Sequence, residues 1–66
     1  MTERERIELQ LRAVVEPYRD PLLQADTPNR DGYRVRASRL LDSLDDAVGA
    51  YPDLQVSLAD ARRELG

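Results

Sequence analysis

Three carboxylates, Asp42, Asp45 and Asp46, stand at i, i+3 and i+4. On a helix that spacing lets two or three acids converge on a divalent cation such as magnesium. The same spacing is common on solvated helix faces. Diphosphate chemistry through such aspartates also needs a large enclosing helical fold, which 66 residues cannot build. No metal site is expected here.

Two further segments suggest chemistry. Asn29, Asp31 and Gly32 fall at the third, fifth and sixth positions of a calcium-type loop. However, Thr27 occupies the first position, which needs a carboxylate, and Ser38 the twelfth, where a bidentate Glu should close the shell. Turn and cap chemistry accounts for the segment better. Asp42-Ser43-Leu44 resembles the attachment tripeptide of acyl carrier proteins, whose serine carries phosphopantetheine at the start of a helix. Here Ser43 lies inside a strong helical period, and the chain after it is too short for that family's remaining helices.

Covalent and general-base catalysis lack their usual groups. The chain has no His, no Cys and no Lys, so a serine has no base, and thiolate or imidazole zinc sites and disulfides are excluded. Paired carboxylates could exchange protons only inside a cleft, which so small a bundle does not readily form. The expectation is a non-enzyme with no cofactor.

Ten positive charges, all Arg, oppose thirteen acids, giving a net charge of −3. Codon bias of a GC-rich genome explains the missing Lys, and selection for forked guanidinium contacts is the functional alternative. The acidic balance argues against general affinity for nucleic-acid phosphate or anionic lipid. Locally the order is unusual: Arg30, Arg34, Arg36 and Arg39 precede Asp42, Asp45 and Asp46, against the helix dipole. One account pairs these Arg residues with acids on the first helix and Arg39 with Asp42. The other leaves Arg34, Arg36 and Arg39 free for an acidic partner or for phosphate. Leu9, Val35 and Val56 fall off the core stripes and would supply apolar area to a partner or to a homodimer.

These residues must be positioned by helices. Thr2 and Glu5 form a capping-box pattern, followed by a stripe of Ile7, Leu11, Val14, Val15 and Tyr18, with Glu8–Arg12 and Arg12–Glu16 on the other face. Pro17 should stop or bend this helix near Glu16, giving a first helix over 3–16. Asp20-Pro21 caps a single turn over 21–25, whose Leu22 and Leu23 should plug one end of the core. Thr27-Pro28 repeats the cap chemistry, with Asn29 and Asp31 as later alternatives.

A second helix over 29–48 carries Tyr33, Ala37, Leu40, Leu41, Leu44, Val48 and Tyr51 at helical spacing and should be the central packing element. Gly49 in a left-handed conformation should end it, with Pro52 preventing its resumption. Leu54, Leu58, Ala61 and Leu65 mark a third helix over 53–65, with Ser57 and Asp60 as an alternative start and Gly66 as its stop.

The expected fold is therefore all-α: one small three-helix domain over 1–66 with a short extra helical turn in the first connection. No apolar run approaches the ~20 residues that span a bilayer, and charged residues follow Met1, so the cytoplasm is the expected location. The expected function is a protein-interaction or assembly module, an adaptor, regulator or small subunit. The alternative is a nucleic-acid-associated regulator using the Arg-rich start of the second helix.

Overall fold

The computed structural model describes all 66 residues. In chain order they form α1 (Glu3–Tyr18), α2 (Pro21–Ala25), α3 (Thr27–Leu44), a 3-10 turn (Ala47–Ala50) and α4 (Pro52–Leu65). No strand is present. The three long helices pack as a bundle, and α2 is the extra turn in the first connection.

α1 starts where the cap pattern placed it: the Glu5 amide donates to Thr2 Oγ1 at 3.2 Å. The Thr2 hydroxyl in turn donates to the Glu5 carboxylate at 3.2 Å, closing the box between side chains. The helix does not stop at Glu16, however, and continues through Pro17 to Tyr18. Pro17 has no amide hydrogen for the Ala13 carbonyl. Burial of the Tyr18 ring in the core offsets that loss.

In α2 the Leu22 amide donates to the Asp20 carboxylate at 3.0 Å, as the Asp-Pro pair implies. Only Leu23 packs on the core, while Leu22 is 80 % exposed rather than a second plug. Adjacent residues point about 100° apart on a helix, so one turn lying on the bundle turns a single side of itself inward.

α3 begins two residues earlier than expected because Asp26, not Thr27, is its cap. The Asn29 amide donates to the Asp26 carboxylate at 3.4 Å, and the Asn29 side chain adds a second bond at 2.7 Å. At the other end the α-helix stops at Leu44 instead of running to 48, and the chain tightens into the 3-10 turn. That turn still delivers Val48 to the core. Gly49 is not left-handed, since Gly66, at φ 82°, has the sole positive φ in the chain. Tyr51 makes the reversal: its amide donates to the Val48 carbonyl at 2.9 Å and its backbone is extended, ahead of Pro52 in the first turn of α4. The Ser57 hydroxyl donates to the Asp53 carbonyl within α4, so it does not start a later helix.

The core is a single cluster of twelve side chains with no buried charged group. α1 contributes Ile7, Leu11, Val14 and Tyr18; α4 contributes Leu54, Leu58, Ala61 and Leu65. Their mutual interface is the most extensive between any two helices, while α3 is the helix that packs against all the other elements. α3 buries Ala37, Leu41 and Leu44, while Leu40 remains 39 % exposed. No helix is long and apolar enough to cross a membrane.

Candidate functional site

The acidic end of α3 is engaged across the bundle. Arg62 on α4 reaches Asp42 at 3.0 Å and Asp45 at 3.8 Å. This interhelical cation offsets the unfavourable dipole position of the two acids, and the expected Arg39–Asp42 pair does not form. No group of three or more acidic side chains is arranged to hold a metal ion.

The basic beginning of α3 is different. Arg30 is half-buried, donates to the Gln24 carbonyl at 3.5 Å and lies 3.9 Å from Asp31. Arg34, Arg36 and Arg39 are exposed and form no ion pair. The expected pairing with α1 acids does not form, and Glu8 and Glu16 lie on other sides of α1. Glu8 pairs at 3.4 Å with Arg4, which also bonds Asp53 on α4. Glu16, with Arg12 and Arg19, borders the cleft toward α4. The expected Glu8–Arg12 and Arg12–Glu16 pairs are likewise not made.

The six residues singled out from sequence do not form one surface. Leu9, Val35 and Val56 are all exposed: Leu9 and Val56 lie on the sides of their helices opposite the buried stripe, whereas Val35 borders the cleft toward α4 with Arg34. In a three-helix bundle those directions diverge, so no single partner face covers all three. The arginines also separate: Arg34 turns toward α4, beside Leu65 and Gly66, while Arg36 turns toward α1. Arg39 points outward between the two.

What the tertiary structure does assemble is a groove between α1 and α3, with a volume near 280 Å³. Gln10 and Ala13 form one wall; Tyr33, Ala37 and Leu40 form the other, with Arg36 at the rim. No acidic residue lines it. Its floor is fixed by Tyr33, whose hydroxyl donates to the Val14 carbonyl and whose ring stacks on Tyr18. Burial pushes the Tyr33 phenol above its ordinary pKa.

Sequence periodicity missed this groove because it assigned Leu40 to the core together with Leu41. Two consecutive residues cannot both lie on one narrow stripe, and the small Ala13 facing the pair leaves space for Leu40 to remain uncovered. A second cleft, between α3 and α4, has a volume near 300 Å³; Asp42 and Arg62 in its lining neutralise one another, and Arg34 lies beside them.

No family model, no curated protein and no solved structure matches this chain.

Proposed function

We propose that the chain is a non-catalytic protein-interaction module of the cytoplasm, an adaptor, regulator or small subunit, and that its working surface is the α1–α3 groove. The observation that carries this reading is the uncovered apolar groove bordered by the unpaired Arg36. Its volume lies at the lower limit for small-molecule pockets and suits one or two aliphatic side chains better than a cofactor. Peptide recognition in which an apolar side chain enters a groove between helices uses this shape.

The test places a photo-reactive side chain at Leu40 and, in a separate protein, at Ser57 on the other side of the bundle. Irradiation in cells that make the protein should give a discrete protein adduct from position 40 that is lost with Arg36→Glu. Adducts of equal pattern from both positions, or none from position 40, would overturn the reading. The nucleic-acid alternative draws on the same unpaired arginines. It predicts a nuclease-sensitive adduct and binding that weakens steeply with salt.

A further inference from the structure

On α3 the edge toward α4 bears the acids Asp42 and Asp45, both facing Arg62, with Arg34 beside them. The edge toward α1 bears Arg36 and Leu40 without an acid. On α1 the side toward the groove runs from Arg6 through Gln10 to Ala13, at steps of four and three. Glu3, two turns before Gln10, is the single acid on that side. Arg36 in the groove lining is exposed and forms no ion pair. A chain of net charge −3 thus carries an apolar groove whose one charged lining residue is a cation.

Resting on the interaction reading above, we infer that the α1–α3 groove receives an acidic amphipathic helix of another protein. An aliphatic side chain of that helix seats against Tyr33, Ala37 and Leu40, and a carboxylate one turn away engages Arg36. A guanidinium matches a carboxylate through two parallel hydrogen bonds, which a point-like ammonium cannot do. The fold has no sheet edge to extend, so strand addition is unavailable, and the trough between two helices suits a third. Phosphate would satisfy Arg36 but leave the apolar floor wet.

A second copy of the chain is a poorer occupant. Its nearest equivalent segment is the outer face of α1, where Leu9 lies between Glu5 and Glu16. That face differs from the groove, so the contact would be head-to-tail and would build open-ended chains instead of a closed dimer.

The experiment is an NMR titration of the full chain with three synthetic amphipathic helices: one acidic with a leucine face, the same with Leu→Ala, and a basic one with the leucine face. The acidic leucine peptide should give saturable shifts at Gln10, Ala13, Tyr33, Arg36 and Leu40. Arg36→Glu, at an exposed position without an ion pair, should weaken it about tenfold or more, the loss of one charge-assisted contact, with a circular dichroism melt checking that the variant folds. High salt should weaken it less, through screening of the rim. Equal binding of the basic or alanine peptide, no shifts up to millimolar acidic peptide, or groove shifts that depend only on the chain's own concentration would each overturn the inference. Failure here with a specific protein adduct from position 40 removes the partner chemistry alone; failure of both removes the interaction reading.

Discussion

The rings of Tyr18 and Tyr33 stack with their centroids 6.1 Å apart and their planes 20° from parallel, joining the end of α1 to the first half of α3. The Tyr18 hydroxyl also donates to the Leu65 carbonyl at 3.4 Å, so one ring touches the ends of α1 and α4 and the side of α3. Removing it should be costly. Tyr18→Ala is expected to lose about 3–5 kcal/mol, whereas Tyr18→Phe loses about 0.5–1.5 kcal/mol at most, because the hydrogen bond is long and the ring remains. Urea denaturation of the two variants checks the difference.

Leu41 is wholly enclosed, at 0 % exposure, and its neighbour Leu40 is not. Leu41→Ala should therefore cost about 2–5 kcal/mol, comparable with the roughly 3–10 kcal/mol available to a domain of this size, and leave a largely unfolded chain at 37 °C. Leu40→Ala should cost less than about 1.5 kcal/mol while abolishing peptide shifts in the groove. Circular dichroism melts of both proteins make the comparison, and equal losses would refute the groove.

Pro17 interrupts the hydrogen bonding of α1 within a turn of its end. Pro17→Ala restores a donor for the Ala13 carbonyl and should raise stability by about 1–2 kcal/mol, less than the full helix-interior penalty because proline also restricts the unfolded chain. A fall in stability would mean that the proline ring makes packing contacts worth more than the missing bond.

Arg19 and Glu64 tie the end of α1 to the end of α4 through two hydrogen bonds, the second 2.9 Å long. The hydrogen bond from Arg19 holds the Glu64 carboxyl below its usual pKa, with partial desolvation opposing and charge attraction assisting. A depressed carboxylate stabilises the fold above its unfolded pKa of about 4.3 and ceases to do so as pH falls through the lower folded value. Glu64→Gln should thus lower the melting temperature at pH 7 and match the parent in strong acid. Because the pair is exposed, high salt should narrow the difference.

Tyr33 gives the opposite dependence. Burial favours its neutral phenol, so its contribution persists below the unfolded value of about 10 and is lost as pH rises through the higher folded pKa. Phenolate absorbance should contain a late phase that Tyr33→Phe removes.

Much of the architecture was legible in the chain itself. Thr2, Asp20 and the Pro-initiated turns are local signals, read within four residues of the amide they cap. The stripes Ile7-Leu11-Val14-Tyr18 and Leu54-Leu58-Ala61-Leu65 mark their buried sides because helical period is also local. The absence of Lys, His and Cys, and the three-helix outline, needed no more than that. Tertiary structure alone decided the rest. It took Arg62 across to Asp42 and Asp45, left Arg36 without an acid, turned Leu9, Val35 and Val56 apart, and chose Leu41 over Leu40 for the core. Those outcomes depend on how each helix is rotated about its axis against neighbours distant in sequence. That rotation is set by the summed packing of many side chains, which no single spacing in the sequence encodes.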